Sequence, residues 1–160
     1  MSKRVVVTGV GAITPVGLDA NESWASIKNG ELGISNIKSF DASNLQVKIA
    51  AEVKGFDPEL KLGKKDSRRL DRFSQFAVVA AMEAIEQSGI DLENEDTTRF
   101  SSIVGSGVGG IMTLSEQFDV LHEKGPDRIS PFLIPMMLPD MASGNVSMKL
   151  GARGINYSPV

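Results

Sequence analysis

The chain has 160 residues, enough for a single domain that buries about two-thirds of its unfolded surface. Its 17 basic and 20 acidic residues give a small negative balance, which excludes a dominant nucleic-acid or membrane-surface role while leaving room for a local basic patch. Cysteine is absent and His122 is the only histidine, so disulfide frameworks, thiolate metal sites and histidine-rich zinc chemistry are excluded. The start, MSKR, lacks the apolar segment of a signal peptide, and no run reaches membrane-spanning length; a cytoplasmic protein is expected.

Val5, Val6 and Val7 form a β-branched run that predicts a strand buried on both faces. Gly9 and Gly11 follow, where positive φ or close backbone approach is needed. This stretch invites comparison with a dinucleotide fingerprint. Thr14 stands where its third glycine belongs, Pro15 bars a helix there, and no acidic residue ends a second strand at the required distance. A central strand leaving through a tight glycine turn fits the residues better.

Asp19 and Glu22 have capping-box spacing and open a short helix with Trp24 and Ile27 on one face, closed by Gly30. Alternation through Val47, Ile49, Ala51 and Val53 predicts a strand, and Asp57-Pro58 a turn. Lys61, Lys64, Lys65, Arg68, Arg69 and Arg72 make a basic stretch that runs into a helix from Asp71 to Ser88. Its predicted inner face is Leu70, Phe73, Ala77, Ala80, Ala81 and Ala84. A second strand is expected over Phe100–Val104, leading into GSGVGG, whose four glycines mark either threading through a crowded place or a loop needing positive φ.

Thr113 and Glu116 read as another capping box, opening a helix with Leu114, Phe118 and Leu121 inward and His122 near its end, where it suits the dipole. Pro131 and Pro135 allow only short turns, and Pro139 suits the first position of a helix with Met141, Gly144, Asn145 and Met148 on one face, closed by Gly151. Asn156–Val160 is expected to be extended. This alternation predicts an α/β fold with a mainly parallel sheet.

VVVTGVGAITPVG, RRLDRFSQFAVVAA, GSGVGG, KGPDRISPFLIPMMLPDMASG and LGARG together resemble the β-ketoacyl-acyl carrier protein synthases, in particular the bacterial enzymes of type II fatty-acid elongation. The resemblance covers nearly the whole chain. It implies the thiolase-like fold of αβαβα layers, with residues 1–160 forming most of the first half and stopping short of the nucleophile. It also implies an acyltransferase. An acyl chain passes from carrier protein to an active-site cysteine, and decarboxylated malonyl-carrier protein attacks the thioester.

The family's cysteine would fall shortly after Val160, and its histidines and lysine in the second half, so no catalytic residue, cofactor or metal is expected here. Lys65, Arg68, Arg69 and Arg128 match positions that dock acidic carrier protein; by themselves they read as a solvated charge cluster. Asp127 stands where relatives are often basic. Val108, Leu133, Met137 and Leu138 match acyl-pocket positions, some contributed across a homodimer interface; by themselves they read as core packing. Val108 and Leu133 replace the isoleucine and phenylalanine frequent in relatives, which leaves chain-length preference open. The competing readings are a non-catalytic chain-length factor, which lacks the nucleophile, and a dinucleotide-binding domain.

Overall fold

The computed structural model describes residues 3–160; Met1 and Ser2, the start of the MSKR stretch, lie outside it. The elements in chain order are α1 (Ala20–Lys28), β1 (Ser35–Asn36), β2 (Ile49–Ala50), α2 (Pro58–Leu62), α3 (Lys64–Ser67), α4 (Arg72–Ser88), β3 (Ser102–Ile103), α5 (Ile111–Lys124), α6 (Leu133–Met137), α7 (Met141–Leu150) and β4 (Asn156–Tyr157). Short 3-10 turns cover Thr97–Arg99 and Pro126–Arg128. The β content is two small pairs. β1 and β2 are antiparallel, with Ser35 opposite Ala50. β3 and β4 are parallel, with Ser102 opposite Asn156, and α7 lies between them in sequence and packs on both. The mixed α/β class agrees with the sequence reading, whereas of the expected mainly parallel sheet the described residues hold only the β3–β4 pair, since each strand is two residues long and β1–β2 runs antiparallel.

The helix α4 is the centre of the core. Asp71 caps it, accepting from the Phe73 N–H, and Gly89 closes it in the left-handed conformation. Val78 and Val79 of α4 are buried together with Phe56, Leu62 and Val146. The Phe56 and Phe76 rings meet edge to face at 5.0 Å, and the Arg72 guanidinium covers both, at 5.6 and 4.9 Å. The alanine-rich face expected to be innermost is only half-buried. The deepest positions are Ser74, Gln75, Val78 and Val79. Polar residues hide this face from a hydrophobicity pattern, and Gln75 is tolerated there because its Nε2 donates to the Ser67 and Leu70 carbonyls, closing the end of α3.

The alanines have a different use. They let the N-terminal turn lie directly on α4. A Cβ on Gly9 would stand 1.9 Å from the Ala84 carbonyl oxygen, and one on Gly11 1.9 Å from that of Ala80. The turn's amides are spoken for as well. Val10 N–H donates to Gln87 Oε1 at 2.6 Å, and Glu83 takes Ala12 N–H at 2.9 Å and Ala20 N–H at 2.8 Å. Donors that a dinucleotide phosphate would need are turned toward α4, and helix carbonyls occupy the glycine face. The dinucleotide reading therefore has no geometry to stand on.

Several local expectations are corrected. Val5–Val7 is not a strand here, and Val5 and Val7 are 91% and 83% exposed. A strand needs a neighbour to take its backbone groups, and among the described residues no strand lies beside this one. Trp24 and Ile27 of α1 are exposed, while Ser23 and Ser26 are buried. Phe118 of α5 is exposed, whereas Leu114 and Leu121 are half-buried. Asp57-Pro58 opens a helix rather than a turn, with Pro58 in its first turn and Asp57 capping. Pro139 precedes α7 by two residues, and the buried face of α7 is Ala142, Ser143, Val146 and Ser147. The Met141–Met148 face is only partly covered.

These open faces share one consequence. The described residues expose 11053 Å². A compact monomer of this mass, 17.1 kDa, would expose roughly 7,800 Å². No helix among the described residues is long and apolar enough to cross a membrane.

Candidate functional site

Two neighbouring surfaces carry the residues singled out by the sequence. The first is basic. Lys65 lies in α3, Arg68 caps its end, Arg69 follows, and all three are exposed. The sharp entry comes from Gly63, which ends α2 and starts α3. Arg68 Nε lies 3.8 Å from Glu59 Oε1, an exposed pair of small energetic weight. The Arg69 guanidinium sits 5.2 Å from the centroid of the Phe132 ring. That contact brings α3 against the segment holding Arg128, which is exposed in the turn before it. No local pattern in the sequence shows the role of Phe132, because its partner Arg69 is distant in the chain. Arg69 also borders a cleft of about 360 Å³ with Leu62, Leu70, Val78 and Met148.

The second surface is built by the glycine loop and α6. Gly110 N–H donates to the Met137 carbonyl at 2.9 Å. A Cβ on Gly110 would lie 2.2 Å from the Met136 oxygen, and one on Gly109, whose φ is +76°, 2.5 Å from that of Met137. Crowding and positive φ thus both hold for this loop. The result places Val108 beside the Met137–Leu138 turn. Leu133 and Met137 are half-buried, whereas Leu138 is exposed and Val108 is 65% exposed. Within this chain none of the four is buried, so they are not core packing.

The loop is held from behind. The expected capping box at Thr113 is absent: α5 starts at Ile111, and Gly110 offers no side-chain cap. Thr113 is buried in the first turn, and both its N–H (2.9 Å) and its hydroxyl (2.6 Å) donate to Asp71 Oδ2. The cap comes from another helix, 42 residues away in sequence. On the far side, Ser102 Oγ donates to the Ser143 carbonyl at 2.9 Å and Ser143 Oγ to that of Ser102 at 2.6 Å, fixing α7 on β3.

His122 is exposed near the end of α5. Among the described residues no three His, Cys, Asp or Glu side chains gather as a metal site. These two surfaces present the exposed side chains of Lys65, Arg68, Arg69 and Arg128, the partly or fully exposed Val108, Leu133, Met137 and Leu138, and a crowded glycine loop.

The family model described as the beta-ketoacyl synthase N-terminal domain matches residues 2–160. The chain belongs to the beta-ketoacyl synthase family. It is 43% identical over 159 residues to the 3-oxoacyl-[acyl-carrier-protein] synthase 2 of Staphylococcus aureus strain N315, covering 99% of this chain and 38% of that relative. The protein of the same name from Vibrio cholerae is 42% identical, with the same coverage. The synthase domain thus spans 38% of the length of these relatives. Among solved structures, a ketosynthase/chain length factor of ishigamide matches with a TM-score of 0.88 at 23% identity, over 99% of this chain and 40% of that one, a likeness of fold. A chain from the complex of a type II PKS acyl-carrier protein with its ketosynthase bound to the hexaketide matches with a TM-score of 0.77 at 25% identity, over 99% of this chain and 41% of that one. The synthase domain has the thiolase-like α/β fold of these proteins and corresponds to their first part.

Proposed function

We propose that this domain is the N-terminal part of an elongating 3-oxoacyl-acyl carrier protein synthase of fatty-acid synthesis. The observation that carries the reading is the 43% identity to a 3-oxoacyl-[acyl-carrier-protein] synthase 2 across 99% of the chain. In the complete protein a cysteine thiolate following this segment takes the acyl group from its carrier. Malonyl-carrier protein then loses carbon dioxide, and the carbanion so formed attacks the acyl carbonyl carbon. The C–S bond to the cysteine breaks, the thiolate is released, and a 3-oxoacyl-carrier protein longer by two carbons results. Residues 1–160 supply no group to that chemistry. It supplies the carrier-docking cations Lys65, Arg68, Arg69 and Arg128, and the apolar wall Val108, Leu133, Met137 and Leu138. The protein acts in the cytoplasm as a homodimer whose partner completes the wall. A chain-length factor shares the fold; the relatives at 42% and 43% identity favour the catalytic reading.

Docking is tested by Arg68→Glu combined with Arg69→Glu in the full-length protein. The reversal puts like charges before an acidic carrier, and it also places a carboxylate opposite Glu59, the present partner of Arg68. Rim charges act mainly on encounter, so association should slow by at least about tenfold at low salt, and the difference should shrink as salt rises. Unchanged carrier affinity at low salt, in a folded variant, would return the cluster to a solvated face.

A further inference from the structure

We infer that Asp71 is a positioning residue that sets the apolar wall relative to the carrier-docking cations, an inference that rests on the functional reading above. Asp71 is 5% exposed and has three donors. Its Oδ1 accepts from Phe73 N–H at 3.3 Å, capping α4, and its Oδ2 accepts the Thr113 N–H and hydroxyl, capping α5. One buried carboxylate therefore closes the N-termini of two helices, whose positive ends both favour its charge.

What lies on either side gives this joint its meaning. Immediately before Asp71 in sequence come Arg68, Arg69 and Leu70. Arg69 is held against Phe132, at the entrance to α6. Ahead of Thr113, with only Ile111 and Met112 between, come Val108, Gly109 and Gly110, and Gly110 N–H donates to the carbonyl of Met137 at the end of α6. The chain of contacts closes on itself: docking cation, Asp71, Thr113, glycine loop, α6, Phe132, docking cation. Loop amides have no room to shift against α6, because even a methyl group would meet its carbonyls at 2.2 and 2.5 Å. Asp71 is the only link in this ring made by a buried charge, and it fixes where α5 begins and so where Val108 stands.

The test is Asp71→Asn in the full-length protein. The amide keeps one oxygen for Phe73, but its NH₂ then faces the Thr113 donors. The ratio of kcat/KM for long over short acyl-carrier proteins should fall about tenfold, and amide hydrogen exchange across residues 105–113 should rise about tenfold. Carrier-protein affinity should stay within about twofold, since no docking cation changes. Thr113→Ser keeps both donors and should match the wild type, whereas Thr113→Val should raise exchange about threefold. Val78→Ala, a core change that removes none of the ring's hydrogen bonds, should lower stability without altering the ratio or the local exchange. The inference is overturned if folded Asp71→Asn leaves both readouts unchanged, or if Val78→Ala moves them equally. Should Asp71→Asn fail to fold, unchanged exchange in Thr113→Val overturns it. A wild-type protein that does not condense acyl groups would remove the functional reading alone, because the exchange comparison still decides the place of Asp71.

Discussion

Gly11→Ala is expected to destabilise the fold by about 3 kcal/mol or more. The added Cβ would meet the Ala80 carbonyl oxygen at 1.9 Å, its carbon at 2.8 Å and the Ala84 nitrogen at 3.0 Å. All three are backbone atoms of a 17-residue helix, so no side chain can rotate away. Relief requires lifting the N-terminal turn from α4, which also breaks the bonds from Val10 to Gln87 and from Ala12 to Glu83. Gly30→Ala is the control. Gly30 has φ +71° with nothing within 4 Å of an added Cβ, so its cost is conformational only, about 1 kcal/mol. Urea unfolding of both variants measures the difference. A smaller loss at Gly11 than at Gly30 would mean that the turn does not rest on the helix.

Val108→Phe is expected to lower kcat/KM for long acyl-carrier proteins by about ten- to a hundredfold while changing short ones little. Val108 is exposed in this chain, so the ring enters no packed core and stability should change by less than about 0.5 kcal/mol. The loop lies close against α6: Gly110 N–H donates to the Met137 carbonyl, and a Cβ on Gly109 or Gly110 would clash with the Met137 or Met136 carbonyl oxygen. On the proposed reading the ring is expected to cover the acyl wall that Val108 shares with Met137 and Leu138. Only a chain long enough to reach that wall meets it. Measuring kcat/KM of the full-length variant across a series of acyl lengths separates the cases. Equal loss for short and long chains would remove Val108 from the pocket.

Helices with local signals were legible in the sequence. Asp19 and Gly151 act within one turn of their own helix, and their roles followed from residue type alone. The α/β class followed from the order of patterns. What could not be read locally was set by distant partners. Thr113 and Glu116 have capping spacing, yet Thr113 bonds to Asp71. The inner face of α4 carries Ser74 and Gln75, so hydrophobicity pointed to the neighbouring alanines. Val5–Val7 has strand propensity without a neighbouring strand among the described residues, and propensity alone pairs no backbone. Of the candidate site, the basic residues and the GSGVGG loop were visible through motifs. Their coupling through Phe132 and Asp71 was not, because each contact joins segments far apart in the chain.

The most direct measurement is condensation itself. Full-length protein and the 1–160 segment are each incubated with an acyl-carrier protein and malonyl-carrier protein, and the carrier-bound product is read by intact mass. The full-length protein should yield the 3-oxoacyl product longer by two carbons, with release of carbon dioxide. The segment, which has no cysteine, should yield no more than a no-enzyme blank. Turnover by the segment, or none by the full-length protein, would contradict the account.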